Sequence, residues 1–489
     1  MIFIATTKPS FVRGKLTPEQ EAGKKIYTTG VGSSEFKIMA NMSGVDVPAT
    51  IMPCVNCHNP RGTGNPEGGI TPSNITWQYL TKEYEVKRQD GKTRPAYDEK
   101  SLRKVITSGF DPAGNQLHTT MPRYKMSRKD IDNLIAYIKV LGSDFDKGLS
   151  KNSIKLGFHL PDKNESARNK VVKDLVNAYA QKINSEKGIY NRKLEVEFLT
   201  EDHENTNEVF MITGFDQTRS SNYDEVPTLL ATPKKIDGTN AKSLFYIYPS
   251  ITSQSLSLVD YGNSLEAYKK SPPVILYFKS SVYESIANQI KSTIESKYRI
   301  SPQLIELTSY NQNAIAENPQ LKSNQVVHFV GPYQIGNKLL LALDKENKYP
   351  QILLSGSVSS MDITKTPVKF QGKVFIGFPT WVTTRSAQGL SFYQDLQETY
   401  NLSTKWRNIQ FDALVMLKTV EKGLKSSGIN IDREAFQKEL ESLYEFSTGL
   451  MQPITFTTNR HVGSGVIYVT GFNAAKKRME LITMLNCEE

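Results

Sequence analysis

Cysteine is nearly absent, with three in 489 residues. That excludes a disulfide scaffold. No apolar run reaches the ~18–20 residues that a membrane span needs, so the chain does not read as an integral membrane protein. Its 23 prolines and 31 glycines are too few for a collagenous or low-complexity chain. No run of five Lys/Arg residues and no helix-turn-helix or RNA-binding signature occurs, so nucleic acid is not an expected partner. What remains is a globular chain, 38% apolar and 22% charged, long enough for two or three domains with real cores. The net charge of +10 is unevenly spread. Residues 1–150 hold 21 Lys/Arg against 15 Asp/Glu, and the remainder 39 against 35.

Two of the cysteines stand together in Cys54-Val55-Asn56-Cys57-His58. C-x-x-C-H is the attachment signature of c-type haem. Thiols three residues apart on one helical turn reach the two vinyl groups of one porphyrin, and the next residue turns its imidazole to the iron. Two other readings compete. A zinc site wants a second Cys pair or an H-x₃₋₅-H, and the six histidines are dispersed. A thioredoxin-like pair wants a strand before it and a helix after it, but Pro53 precedes the motif and a Gly/Pro-rich loop follows.

The haem reading predicts a distal ligand further along the chain. Met121-Pro122 lies in a loop 63 residues beyond His58, before a helix start at Ser127 and apolar residues Leu134, Ile135, Tyr137, Ile138 and Leu141 at helical spacing. Thioether ligation favours Fe(II) and raises the potential. Met126 and His118 are the nearest rivals. Upstream, Thr17-Pro18-Glu19 reads as a capped helix start. Gly23 and Tyr27 lie one turn apart on that helix, which allows close packing against Tyr137.

On Gly23/Tyr27, Cys54–His58, Met121-Pro122 and the 134–141 helix, residues 15–142 resemble the class I cytochrome c family. The resemblance implies an all-α domain with one covalent haem c, Cys54 and Cys57 as thioether anchors, and His58 and Met121 as axial ligands. One departure is visible. Residues 28–53, with Met39, Met42 and Met52, form an insertion between the first helix and the motif, where they are expected to cover part of the haem edge.

Residues 143–153 read as a polar linker. Strand–helix alternation then begins, with strands expected over 154–158, 194–199, 209–213, 228–231, 274–278, 304–307, 325–329, 352–355 and 374–378. Helices are expected over 165–186, 281–297 and 411–425. Such alternation implies parallel sheets with crossover helices, and its length implies two Rossmann-like lobes facing a cleft. No nucleophile elbow, P-loop, zincin or dinucleotide fingerprint appears here.

Residues 154–487 resemble the type I periplasmic solute-binding proteins, the branched-chain amino-acid receptors of ABC importers. The matching stretches are the 154–161 strand and loop, the 188–194 turn, Leu199-Thr200-Glu201-Asp202, the strand end at 244–250, and Phe411-Asp412-Ala413. The resemblance implies an α/β two-lobed domain, a small solute in the cleft and an ABC permease as partner. Asp202, Phe215, Tyr248 and Trp381 are the cleft candidates. The family grips an amino acid with a Ser/Thr-rich turn; the corresponding turn here reads Gly214-Phe215-Asp216-Gln217-Thr218-Arg219-Ser220, in which the usual hydroxyl pair has no clear place.

Both halves point to the periplasm, although Met1-Ile2-Phe3-Ile4-Ala5 is too short for a signal h-region. Cys487 has no partner within the chain once the motif holds haem. The expectation is a non-enzymatic carrier of single electrons. Its redox partner would be a quinoprotein dehydrogenase or a terminal-oxidase chain, and its second domain would bind a solute or dock that partner. Two alternatives stand beside it: a solute receptor whose haem senses or only stabilises, and a haem peroxidase.

Overall fold

The computed structural model describes residues 16–64, 72–82, 85–87, 91–142, 146–162, 166–199, 208–215, 226–233, 243–308, 321–356, 362–429 and 431–487. The chain divides into two compact units, Met1–Phe145 and Asp146–Glu489.

Helix α1 (Pro18–Thr29) opens the first unit. Thr17 and Gln20 form a capping box with Pro18 in the first turn, and Gly30 ends the helix in the left-handed region at φ 70°. The chain then forms strands β1 (Met39–Met42) and β2 (Val45–Pro48). Ser43 and Gly44 join them, both with positive φ, as a two-residue hairpin turn requires. The haem-motif helix α2 (Cys54–His58) follows, then α3 (Trp77–Leu80), a short pair β3 (Val86–Lys87) and β4 (Thr93–Arg94), and α4 (Glu99–Ser108). Strand β5 (Arg123–Lys125) and helix α5 (Arg128–Ile138) complete the unit.

The expected all-α domain is corrected here. β5 pairs antiparallel with β1, giving a three-stranded sheet in the order β2-β1-β5. Strands of three and four residues with one exposed face carry too few apolar positions to show a period-2 pattern. The 28–53 insertion is therefore a built element, tied to the chain just after Met121-Pro122.

Gly23 sits where α1 crosses α5. A Cβ there would lie 2.0 Å from the Asn133 carbonyl oxygen and 2.8 Å from Tyr137 Cβ, so only glycine lets the helices approach this closely. One turn on, the Tyr27 and Tyr137 rings meet at 5.5 Å. Asp130 on α5 is fully buried. It accepts from the Ser33 N–H at 2.8 Å and the hydroxyls of Ser33, Ser34 and Ser127 at 3.0, 2.5 and 2.7 Å. The beginning of the insertion is thus stapled to the terminal helix.

In the second unit, residues 146–153 are packed rather than loose. Leu149 is 2% exposed, and Gly148 at φ 76° lies against the Val209 and Phe210 backbone. A buried leucine gives this stretch a fixed place that its polar composition hides. Residues 143–145 lie outside the described residues.

Strands β6 (Ser153–His159), β7 (Lys193–Leu199), β8 (Met211–Gly214), β9 (Thr228–Leu230) and β10 (Leu244–Tyr246) form a wholly parallel sheet in the order β10-β9-β8-β6-β7. Helix α6 (Ala167–Ser185) crosses from β6 to β7. The chain passes to a second sheet through α7 (Ile251–Ser264) and α8 (Glu266–Lys270). There β11 (Val274–Phe278), β12 (Gln303–Leu307), β13 (Val326–Val330), β14 (Gln351–Ser355) and β15 (Val374–Phe378) run parallel, with α9 (Ser281–Tyr298) between β11 and β12. The Ala387–Thr399 and Arg407–Ser426 helices return to the first lobe. There the Phe392 ring meets Tyr179 of α6 at 6.1 Å, and the Tyr179 hydroxyl bonds Glu421.

The chain re-enters the second sheet as an antiparallel pair, β16 (Val466–Asn473) and β17 (Arg478–Asn486), with β16 beside β15. The parallel alternation of the sequence has no place for this pair. β17 is half exposed, so its apolar residues do not mark a core strand. The second-lobe core is built from parallel-strand residues such as Val274, Leu276, Ile352, Leu354, Val374 and Ile376, buried from both faces as crossover helices require.

Candidate functional site

Helix α2 is short and held at both ends. Pro53 enters it in extended conformation, and Asn59 leaves it at φ 56°. The Asn59 amide donates to Thr63 Oγ1 at 2.6 Å and the Gly64 carbonyl at 3.2 Å, and its Oδ1 accepts from the Arg61 N–H at 2.8 Å. The Tyr27 hydroxyl donates to the Asn59 carbonyl at 2.6 Å. Cys54 and Cys57 thereby stand one turn apart, both as free thiols. Burial pushes the Cys54 thiol up to about 11, opposed by the Tyr124 hydroxyl beside it.

His58 is buried, and its Nδ1 lies 2.9 Å from the Ser73 carbonyl oxygen. A carbonyl only accepts, so Nδ1 carries the proton and the Nε2 lone pair is left for a metal. Burial holds the imidazole below its usual range against the opposing Ser73 bond, which keeps the ring neutral near pH 7. Around the turn, Met52, Val55, Ile75 and Trp77 are only partly buried against a core that includes Tyr27, Leu80, Leu102 and Tyr124. Free thiols at this spacing, a neutral imidazole with its Nε2 lone pair available, and an apolar wall fit a covalently attached haem.

Met121 is half-buried in a loop shaped by Arg123, whose guanidinium donates to the Met121 carbonyl and, at 2.9 Å, to the Leu117 carbonyl. The loop is tied to the motif through Tyr124, whose hydroxyl donates to the Met52 carbonyl at 2.7 Å, two residues before Cys54. Of the rival ligands, Met126 packs against the core cluster. His118 is turned to Thr120, its Nδ1 lying 3.0 Å from the Thr120 hydroxyl and 3.3 Å from the Thr120 backbone nitrogen. Sequence reading missed Ser73 and Tyr124, since neither carries a local signature.

In the second unit the cleft candidates separate. Asp202 lies outside the described residues. Phe215 sits at the carboxyl end of β8, its ring 6.3 Å from Phe158. Trp381, beyond β15, packs against Phe378 at 5.8 Å. Tyr248, beyond β10, is buried and donates to Asp412 Oδ1 at 2.7 Å. Burial raises the Asp412 carboxyl to about 6, against the Tyr248 hydrogen bond and the Arg385 charge. The structure therefore joins Tyr248 to Asp412 and Arg385, and no ring contact or hydrogen bond joins it to Phe215 or Trp381. Arg385 was not foreseen. Asp412 was noted only as part of a helix opening, because a juxtaposition across more than a hundred residues leaves no local pattern.

Residues 21–142 match the Cytochrome c family model. No curated protein matches the sequence. Among solved structures, the chain resembles a fatty acid ABC transporter substrate-binding protein from Thermomonospora curvata, with 16% identity and a TM-score of 0.54 over 71% of this chain and 95% of that one. It resembles a branched-chain amino acid ABC transporter protein from Thermus thermophilus, solved with bound valine, with 12% identity and a TM-score of 0.54 over 70% and 98%. A substrate-binding periplasmic protein from Ralstonia solanacearum aligns with 11% identity and a TM-score of 0.53 over 66% and 98%. No helix among the described residues is long and apolar enough to cross a membrane. The chain is thus similar to cytochrome c over its first unit and, in fold, to the type I periplasmic binding proteins beyond it.

Proposed function

We propose that this is a periplasmic electron-transfer protein whose first unit holds one covalent haem c and whose second unit binds a small solute. The observation that carries the first half is the His58 Nδ1–Ser73 carbonyl bond at 2.9 Å. It fixes the tautomer that a proximal ligand needs, directly after two free thiols. In this reading Cys54 and Cys57 anchor the porphyrin by thioethers, His58 Nε2 ligates the iron and Met121 supplies the distal sulfur. When bound, the haem supplies a one-electron Fe(III)/Fe(II) couple, with the potential raised by thioether ligation. The residues of the chain hold and shield that couple. Asn59, Tyr27 and Tyr124 fix the turn, and Arg123 shapes the Met121 loop. The basic excess of residues 1–150 suits transient docking to an acidic redox partner, a quinoprotein dehydrogenase or a terminal-oxidase chain. The second unit, with its two lobes and strand carboxyl ends, would receive a solute and engage an ABC permease.

A reduced-minus-oxidised spectrum of the wild type and of Met121→Ala tests the ligand set. We expect the wild type to show a low-spin c-type spectrum, and the variant to lose the sulfur-to-iron charge-transfer band and drop in potential. An unchanged variant spectrum removes Met121 from the reading.

A further inference from the structure

β17 closes the seven-stranded sheet, and among the described residues no strand pairs with its outer side. It runs for nine residues, Arg478–Asn486. A row of open backbone N–H and C=O groups on so long an edge is a template for another strand, and proteins guard such edges with lysine, proline, short strands or bulges. From Leu481 to Cys487 the sequence reads Leu-Ile-Thr-Met-Leu-Asn-Cys, seven residues with no charge, proline or glycine. A segment of that composition left bare on an edge is an aggregation hazard.

The one guard present is a bulge, and it favours pairing. Thr470 lies opposite Leu481 and Val469 opposite Thr483, so Ile482 is the extra residue. Strict alternation would put Leu481 and Met484 on opposite faces. With Ile482 inserted they share the face of their partners Thr470 and Tyr468. Leu481 is 40% exposed and Met484 61%, with Ile482 at 48% between them. The bulge thus gathers bare apolar side chains along the open edge.

Charge complementarity identifies the cover. The strand begins at Lys476-Lys477-Arg478, and the uncharged run is followed in sequence by Glu488-Glu489. Glu480 holds Lys476 at 2.7 Å and Arg478 at 3.1 Å, one acid against three bases, so the start keeps an excess of positive charge. We propose that β17 is a dimerisation edge, on which a second copy of this chain lays the same strand antiparallel across a two-fold axis. An axis passing between Ile482 and Thr483 sets Leu481 against the partner's Met484, Lys477 against the partner's Glu488 and Lys476 against the partner's Glu489. Apolar and opposite-charge pairs directly across two strands stabilise them, and like charges there are costly. A parallel arrangement would set the basic starts against each other.

Sedimentation velocity of the full-length protein over a range of concentrations tests this. We expect the wild type to reach the mass of two copies as concentration rises. Met484→Lys should weaken the association at least ~10-fold, because each substitution enters the interface twice. Lys477→Glu should weaken it too, and adding Glu488→Lys should restore it. Circular dichroism and melting temperature of each variant at low concentration report an intact fold. A one-copy mass for the wild type at every concentration overturns the proposal and leaves the edge to a strand of another protein. A two-copy mass unmoved by Met484→Lys puts the contact elsewhere and overturns it as well. A charge swap that fails to restore association overturns the antiparallel pairing of β17 with itself.

Discussion

At the scale of single residues, His58 meets two demands at once. Its Nδ1 proton is committed to Ser73, and burial keeps the ring neutral. A metal ligand needs both. Gly23 shows the same dependence on one atom. Gly23→Ala would drive a Cβ to 2.0 Å from the Asn133 carbonyl oxygen. We expect a loss of ~1–3 kcal/mol, the usual cost of overpacking, read as a lower denaturation midpoint with an unchanged slope. Asp412 is buried beside the Tyr248 hydroxyl and the Arg385 guanidinium, and burial raises its carboxyl to about 6 against both.

Among elements, the β1–β2 hairpin is the least expected and the most connected. Through β5 it reaches the chain just beyond Met121, and through Ser33 and Ser34 the same insertion reaches Asp130 on α5. Burial alone would raise the Asp130 carboxyl, but the hydrogen bonds from Ser34, Ser127 and Ser33 outweigh it and hold the pKa low. The folded value being depressed, this contribution is present above the unfolded carboxylate range and lost as pH falls through the folded value. Asp130→Ala leaves several buried donors unpaired. We expect it to cost roughly 2–3 kcal/mol, read as a lower denaturation midpoint. Legibility follows the kind of interaction. Cys54–His58 was legible because its chemistry is local. β11 and β15 fall where their apolar runs end, since both are buried from two sides. The hairpin, the β16–β17 pair and the Tyr248–Asp412–Arg385 group were not legible, because each depends on partners distant in sequence.

On the scale of the whole molecule, the chain joins two units with different physical tasks. The first carries the Cys54–His58 motif in a mostly helical unit, and the second presents two lobes, one on a parallel sheet and one on a mixed sheet. The central claim is the covalent haem, and it is tested most directly by a pyridine haemochrome assay on the purified protein after denaturation and organic extraction. The account predicts one c-type haem per chain, retained through extraction, and none retained in a Cys54→Ser/Cys57→Ser variant that still folds its second unit. Protein that yields no haem, or releases all of it to the organic phase, would contradict the account.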